Sequence, residues 1–274
     1  MFYLNAKQLI VSVRYFCFVV IRNFFKRRFI PLTLPFLKNQ IIFDKKKKKI
    51  IHLKIREYTD WRTLSQVFYN NEDYNLERFS RFKEINEFYL KLVKSKKIPL
   101  ILDCGSHIGL ASRYFSETYP QSKIISLEPN KNNFKLGKKN NLYNKDKIKF
   151  VNAAVGSKNS YGNIVDPGLG KDSYRINFHD KKKIKIISVN NILKNIKKIV
   201  NPFIIKIDIE GSEQNLFSKN TEWIEKFPIL IIELHDWMFP ASTNSKNFLK
   251  KISNQNRDFL YFGENIFSIK NNII

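Results

Sequence analysis

The stretch PLILDCGSHIG, residues 99–109, decides the fold. Its first half is a short continuous run of apolar residues, which is typical of a strand buried on both faces. Its second half is a turn that contains Gly105 and Gly109, and a helical pattern over 109–118 follows directly. Glycine in a turn between a strand and a helix allows the backbone to approach a ligand closely, beside the helix N-terminus. The stretch therefore predicts a strand–turn–helix unit with a binding site at the turn.

The same alternation of buried strands and helices continues to the C-terminus. Strands are predicted at 99–104, 123–128, 148–154, 202–208 and 229–234, and helices at 109–118, 130–141, 212–225 and 244–254. Two final strands, at 257–262 and 266–270, predict a hairpin, and 155–190 is predicted to be an insertion with short strands, one near 183–188. We therefore predict an α/β fold: a doubly wound, mostly parallel Rossmann-like sheet with a C-terminal antiparallel hairpin, preceded by a helical N-terminal segment.

The spacing D-x-G-x-x-x-G at 103–109 limits what the turn can bind. A dinucleotide-binding fold has G-x-G-x-x-G and a P-loop has Gly-Lys-Ser/Thr, and this turn has neither. Asp103 at the strand end is poorly suited to a phosphate but suits a positively charged group such as an aminoacyl moiety. Glu128 ends the next strand, where a carboxylate accepts both hydroxyls of a ribose. A ligand with a ribose and an aminoacyl group but no phosphate is S-adenosylmethionine, which we predict as the cofactor.

The composition excludes several classes of protein. The chain has 274 residues, 43% hydrophobic and 27% charged, which suits one large α/β domain with an extra segment. Two cysteines exclude a disulfide scaffold and a cysteine-rich zinc site, and they favour a reducing compartment. The formal net charge of +25 suggests a nucleic-acid or anionic-membrane partner. Lysine far outnumbers arginine, however, and A/T-rich codons alone supply lysine, so we do not expect nucleic acid as a partner.

The N-terminal part is predicted to differ from the rest. Residues 1–55 form a basic and apolar segment, residues 56–98 a helical lead-in, and residues 99–274 the main domain. The apolar run from Leu9 to Ile21 is shorter than the roughly 20 residues that span a bilayer, and no signal-peptide cleavage site follows it.

Two interpretations of residues 1–30 stay open. They form an interfacial helix on an anionic membrane surface, or a helix that packs on its own domain or on a second subunit. The five-lysine run at 45–49 is predicted to be a solvated hairpin tip or linker. We expect a cytoplasmic protein, peripheral to the inner face of a membrane in the first interpretation.

Five motifs in order along the chain resemble a known family. They are LDCGSHIG (102–109), SLEPN (126–130), VNAAVGS (151–157), FIIKIDIEGSE (203–213) and ILIIELH (229–235). They are similar to motifs of the FkbM-type methyltransferases, a branch of the class I S-adenosylmethionine-dependent enzymes, over about residues 99–240. The resemblance implies methyl transfer to an oxygen, commonly a hydroxyl of a sugar, glycolipid or secondary metabolite. It implies a cofactor site formed by Asp103, Gly105, Ser106, Gly109, Glu128, Pro129, Ala153 and Asp208.

Acidic side chains concentrate near the last two buried strands. Residues 201–240 hold seven of the 24 carboxylates, and Asp208 and Glu210 follow one strand while Glu233 and His235 end the next. The carboxyl ends of parallel strands meet at one crevice, and transfer to a hydroxyl requires removal of its proton. We predict Asp208, Glu210 and His235 as catalytic residues, with Asp208 holding cofactor or substrate and His235 or Glu210 accepting the proton. The alternative to a functional role is a structural hydrogen bond to a loop amide for Glu233 and a hydrogen-bonded position at the rim for His235. No metal ligand is assigned, although converging carboxylates suit a hard cation.

Two other functions stay open. An RNA or DNA methyltransferase would explain the charge, but the sequence has no NPPY-like or DPPY-like tetrapeptide after its fourth main strand. A non-catalytic membrane-surface protein with a methyltransferase fold is the second alternative. The sequence does not indicate the identity of the methyl acceptor or the oligomeric state.

Overall fold

The computed structural model describes residues 6–35, 37–69, 73–168, 174–178 and 183–273. The chain divides into two compact units, Met1–Asn75 and Leu76–Ile274. The three-part division made from the sequence stays a prediction. Within it, residues 1–5 of the N-terminal segment and residues 169–173 and 179–182 of the insertion lie outside the described residues.

The first unit consists of a long helix, a small antiparallel sheet and a second helix. Its elements are α1 (Ala6–Lys26), β1 (Phe29–Pro31), β2 (Asn39–Asp44), β3 (Lys49–Lys54) and α2 (Tyr58–Leu64), which continues as a π-helical turn at Ser65–Tyr69. The predicted N-terminal helix is confirmed. The lysine run joins β2 to β3, so it is the tip of a hairpin. Within the described residues, no helix is both long and apolar enough to cross a bilayer.

Helix α1 has a buried side and an exposed side. On the buried side, Asn23 donates hydrogen bonds to the backbone carbonyls of Phe29 at 2.7 Å and Tyr69 at 2.6 Å. The exposed large apolar side chains, which we call the apolar face of α1, are Ile10, Val11, Phe18, Ile21, Phe24 and Phe25. At the end of the helix, the Lys45 ammonium donates a hydrogen bond to the carbonyl oxygen of Phe24 at 2.7 Å. The basic hairpin tip therefore lies beside the apolar face.

The second unit is built on one large sheet. Its helices are α3 (Phe82–Lys94), α4 (Leu110–Thr118), α5 (Lys131–Asn140), α6 (Val189–Lys194), α7 (Glu213–Leu216) and α8 (Lys246–Ile252). Its strands are β4 (Ile98–Cys104), β5 (Lys123–Leu127), β6 (Ile148–Val151), β7 (Ala154–Gly156), β8 (Ser160–Val165), β9 (Arg175–Asn177), β10 (Ile184–Ser188), β11 (Val200–Ile207), β12 (Ile229–Glu233), β13 (Arg257–Phe262) and β14 (Asn265–Lys270).

The large sheet has seven strands in the order β13-β14-β12-β11-β4-β5-β6. The five strands from β12 to β6 are parallel, and β14 and β13 form the predicted antiparallel hairpin at one edge. The chain runs from β4 outward through β5 to β6, then returns to the other side of β4 as β11. In open α/β sheets, ligands bind at such a reversal, outside the carboxyl ends of the strands. The topology therefore places the expected crevice beyond β4 and β11.

Two predicted elements are wrong in their extent. The single strand expected at 148–154 is divided into β6 and β7, because Asn152 turns out of the sheet and donates to the carbonyl oxygens of Glu128 and Pro129, both at 2.9 Å. Strand β7 joins a second sheet, β7-β10-β8-β9, within the insertion. The helix expected at 212–225 is only the one-turn α7. A left-handed Asn220 (φ +55°) ends any continuation of that helix, and the buried Trp223 lies beyond it.

Candidate active site

The carboxyl ends of β4 and β11 touch at Gly105 and Asp208. The Asp208 N–H donates to the carbonyl of Cys104 at 3.1 Å. Gly105 has φ +81°, and a Cβ atom placed on it would collide with the carbonyl oxygen of Asp208. Glycine is therefore required here by the contact of two strand ends, whereas the sequence suggested that it admits a ligand. Any side chain at position 105 displaces Asp208.

Glu128 is buried at the end of β5, beside the glycine turn. One carboxylate oxygen accepts the backbone N–H of His107 at 2.9 Å, and the other accepts that of Asn130 at 2.8 Å and lies 3.5 Å from the Asn133 amide nitrogen. Burial raises the pKa of Glu128 to about 7, although His107 and these hydrogen bonds oppose the rise. A carboxylate accepts up to about four hydrogen bonds, and the 3.5 Å contact with Asn133 is at the outer limit of one, so Glu128 keeps capacity for two more donors.

Ser106 is the clearest sign of a ligand site in the turn. Its N–H donates to the Leu127 carbonyl at 3.0 Å, which holds it at the end of β5. Its hydroxyl oxygen is buried and has no hydrogen-bond partner within the described ranges. Buried polar groups are normally paired, so this hydroxyl fits a place that a polar ligand completes. Gly109 (φ +78°) then begins α4 as its N-cap residue.

Three other predicted cofactor residues are less accessible to a ligand. Asp103 is fully buried, accepts a hydrogen bond from the Ser112 hydroxyl at 2.5 Å and lies 3.5 Å from the Lys206 ammonium. Ala153 is fully buried, and Pro129 is half-buried. Asp103 therefore acts on the site through Lys206, and a direct ligand contact by any of these three residues stays a prediction.

Lys206 joins the two strand ends. It lies on β11, 2% exposed, and its ammonium donates to the carbonyl of Gly105 at 2.8 Å. The same ammonium is 3.1 Å from one oxygen of Asp208 and 3.5 Å from Asp103. A buried charge is costly unless it is paired, and here two carboxylates pair it. Lys206 therefore fixes the orientation of Asp208.

His235 follows β12 and is 1% exposed. Its Nδ1 is 3.0 Å from Oε1 of Glu213, at the start of α7. The other oxygen of Glu213 accepts a hydrogen bond from the Asn244 amide at 2.7 Å. The ring is thus held in one orientation by a carboxylate that is itself held in place.

The Nε2 atom of His235 is directed at three carboxylates. It is 3.5 Å from Glu233, 3.7 Å from Asp208 and 3.8 Å from Glu210. We call these four residues the His235 cluster. The structure thus brings the three predicted catalytic residues together, and adds Glu233.

The charges of the cluster follow from its burial and pairing. Burial opposes a charge on His235, but the Glu213 hydrogen bond and the neighbouring carboxylates outweigh it and raise the His235 pKa to about 10. Burial, with Asp208, raises the pKa of Glu233 to about 8. Burial also acts to raise the pKa of Asp208, but Lys206 and His235 lower it below its ordinary value. A histidine that already holds its proton is not a base, so this state favours Glu210 over His235 as the proton acceptor.

The turn after β11 holds Glu210 in a costly backbone conformation. Glu210 has φ +53° and Gly211 φ +92°. A Cβ on Gly211 would collide with the ring of Phe239, over which the Arg175 guanidinium lies 4.5 Å from the ring centroid. Non-glycine residues in this region cost on the order of 1 kcal/mol and cluster at functional sites. In this backbone conformation the Glu210 carboxylate lies 3.8 Å from Nε2 of His235.

A family profile identifies the chain. The profile of the methyltransferase FkbM domain matches residues 103–261, more than half of the chain. The chain belongs to the FkbM methyltransferases. The match begins at Asp103 and includes the glycine turn, Glu128 and the whole His235 cluster. A search of curated proteins gave no match.

Several solved methyltransferases are similar to this FkbM chain. Methyltransferase FkbM from Methylobacillus flagellatus KT is 17% identical, with a TM-score of 0.42 over 63% of this chain and 44% of that one. The N-terminal domain of human METTL16, solved with SAH, is 14% identical, with a TM-score of 0.38 over 69% and 68%. TrmK of M. capricolum, solved with S-adenosyl-homocysteine, is 14% identical, with a TM-score of 0.35 over 67% of each chain. This chain therefore spans less than half of the M. flagellatus protein.

The sequence analysis missed two residues of the candidate site. Lys206 interrupts the apolar run FIIKI at 203–207, and a buried lysine must be paired, which is a signal that the sequence does contain. Glu213 lies within the quoted KIDIEGSE motif, but its pairing with His235 brings together residues 22 positions apart and has no sequence signal.

Proposed function

We propose that this FkbM methyltransferase transfers the methyl group of S-adenosylmethionine to a hydroxyl oxygen of a small-molecule or glycan acceptor. The observation that supports it best is the pair formed by Glu128, held by two backbone N–H groups, and the unpaired buried hydroxyl of Ser106. Together they offer an acceptor and a hydroxyl to a ribose-containing ligand at the reversal point of the sheet. When bound, S-adenosylmethionine supplies a methyl group already activated on a positively charged sulfur.

The residues of this chain bind the cofactor, orient the reacting groups and accept a proton. Glu128 accepts hydrogen bonds from ribose hydroxyls, and Ser106 completes the polar contacts of the turn. Asp208, held by Lys206, orients the reacting groups at the crevice. As the acceptor oxygen forms its new bond to carbon, its hydroxyl proton passes to Glu210. Because the departing thioether would be neutral, no residue would have to act as an acid, and one carboxylate acting as base would suffice.

Transfer of radiolabelled methyl groups tests the proposal. The full chain is incubated with labelled S-adenosylmethionine and a panel of sugars, glycolipids and phenolic or polyketide alcohols, with RNA as a separate arm. Glu210→Gln and Asp208→Asn are expected to lower turnover at least about 100-fold, the low end for loss of a positioned proton-transfer group. The control is Glu225→Gln, an exposed carboxylate that lies 3.3 Å from the Lys270 ammonium and outside the His235 cluster.

Each outcome of this assay is decisive for one reading. If RNA is labelled and no alcohol is, the protein is a nucleic-acid methyltransferase and this proposal is wrong. Cofactor binding with no transfer to any class of acceptor favours the non-catalytic alternative. If Glu210→Gln and Asp208→Asn both turn over as fast as the wild type, methyl transfer does not take place at the His235 cluster.

A peripheral location on an anionic membrane is part of the same proposal. The apolar face of α1 exposes six large apolar side chains, with Phe25 76% exposed. Lys45 attaches the basic hairpin tip to the end of that helix. Apolar side chains beside a cluster of positive charges suit the boundary between acyl chains and anionic headgroups. Vesicle sedimentation at low and high salt tests it, with uncharged vesicles as the control.

A further inference from the structure

We propose that Asp208, Glu233 and His235 bind a divalent metal ion of the Mn²⁺ or Mg²⁺ class. The proposal concerns a binding site, which stands by itself. Its catalytic role, to hold the acceptor hydroxyl, rests on the function proposed above.

The spacing of the three side chains is that of ligands around one ion. One ligand atom from each residue lies within 4.8 Å of the others, and His235 Nε2 is 3.5 Å from Glu233 and 3.7 Å from Asp208. Ligand atoms at about 2.1 Å from a shared ion are separated by roughly 3 to 3.4 Å for angles between those of an octahedron and a tetrahedron, so an ion would draw these groups together by a few tenths of an ångström. Such separations are longer than a strong hydrogen bond between charged groups, which is about 2.7–2.9 Å. The three groups therefore surround a point without closing on one another.

The imidazole provides a second and independent observation. His235 is only 1% exposed. Its Nε2 is directed into the cluster and makes no hydrogen bond within the described part of the chain. Its other nitrogen, Nδ1, is hydrogen-bonded to Glu213, and Glu213 is fixed by Asn244. A histidine that binds a metal through one nitrogen typically donates its other N–H to a carboxylate. The Glu213–His235 pair has that arrangement, and a bound ion would replace the Nε2 proton that His235 holds in its absence.

The two carboxylates are also oriented for an ion. Lys206 holds one oxygen of Asp208 at 3.1 Å, which leaves the other oxygen on the side of His235. The Glu233 side chain is 18% exposed, so the cluster is reached from solvent on its side. One imidazole with two carboxylates would suit a hard or borderline cation, with water as the remaining ligands, and not a soft one. The acceptor hydroxyl would replace one water, and coordination would lower its pKa so that Glu210 removes the proton more readily.

Titration of the full chain with Mn²⁺ alone, followed by electron paramagnetic resonance of unbound Mn²⁺, tests the site. We expect one ion per chain with micromolar affinity. Diffuse binding at the surface is disfavoured by the net charge of +25. Glu233→Gln and His235→Gln should each weaken binding at least tenfold, and Glu213→Gln, which alters only the support of the ring, about 10- to 100-fold. Glu225→Gln, on the surface of the same unit, should bind as the wild type does.

Folding and function are separated from binding in the same series. Thermal melting with Mn²⁺ should raise the midpoint of the wild type and of Glu225→Gln, but not that of Glu233→Gln. If His235→Gln does not fold, Glu233→Gln and Asp208→Asn decide the outcome. No bound Mn²⁺, or equal binding by the wild type and Glu233→Gln, overturns the site and leaves an internal ion-pair cluster. Full methyl transfer after chelation overturns the catalytic role of the ion, while the proposed function stands. Mn²⁺ binding by a chain that does not bind S-adenosylmethionine supports the metal site and overturns the proposed function.

Discussion

The pKa of Glu128 should make cofactor affinity rise with pH. Burial raises that pKa to about 7. Two ribose hydroxyls need the ionised form as acceptor, and this form is populated to about 10% at pH 6 and about 90% at pH 8 if the pKa is near 7. S-Adenosylmethionine should therefore bind about tenfold more tightly at pH 8 than at pH 6, a difference of about 1.4 kcal/mol.

The same shift acts on the free chain with the opposite sign. The unfolded chain releases the proton of Glu128 first, because the ordinary pKa of a glutamate is 4.5 and the folded value is about 7. The contribution of Glu128 to the free energy of unfolding therefore falls as pH rises from about 4.5 to about 7, by on the order of 3 kcal/mol. Cofactor binding should offset this loss above pH 7.

Titration calorimetry at pH 6, 7 and 8 measures the effect on the wild type and on Glu128→Gln. The variant keeps the size of the side chain but cannot ionise, so its affinity should be flat over this range apart from any titration of the cofactor. At pH 8 it should bind more weakly by roughly 1.5–3 kcal/mol, the range for hydrogen bonds to a charged group. Glu225→Gln should retain the pH dependence. A wild-type affinity that does not change with pH, or a dependence that persists in Glu128→Gln, would refute the assignment of Glu128.

Three further predictions come from single contacts. Lys206→Met leaves Asp103 and Asp208 without their buried cation, so chemical denaturation should show a loss of roughly 3–5 kcal/mol. Gly105→Ala should weaken S-adenosylmethionine binding and turnover together, because its Cβ displaces the backbone of Asp208; equal activity in this variant would contradict the contact. Phe25→Asp, on the apolar face of α1, should lower binding to anionic vesicles at least about fivefold without changing cofactor affinity, and undiminished binding would exclude this face as the contact surface.

The sequence predicted the sheet well because its signal is local. Continuous apolar runs such as PLILDC and ILIIEL bury strands on both faces, and a glycine turn after the first run marks where the chain leaves the sheet. The predicted extents of the strand at 148–154 and the helix at 212–225 were wrong because a single polar residue interrupts the regular backbone in each. Asn152 hydrogen-bonds two carbonyls beyond its own strand, and the left-handed Asn220 keeps the helix from resuming after it has ended at Leu216.

The site was predictable in its position but not in its pairing. Strand ends place Asp208, Glu210 and His235 in one crevice by topology alone. The reason for Gly105 was not available from the sequence, because the atom it avoids belongs to Asp208 on another strand. The protonation of His235 was also not available, since it depends on Glu213 and on burial. The sequence pattern predicts which groups come together, whereas the distances and charges seen in the structure decide what each group does.

Backbone hydrogen exchange with and without S-adenosylmethionine tests the central claim most directly, because it reports both binding and its place. We predict slower exchange in the turn at 103–109 and at 128–130, where the N–H groups of His107 and Asn130 hold Glu128. NAD⁺ at the same concentration should give no protection there. Protection of this turn by NAD⁺, or no protection by saturating S-adenosylmethionine, would contradict the account.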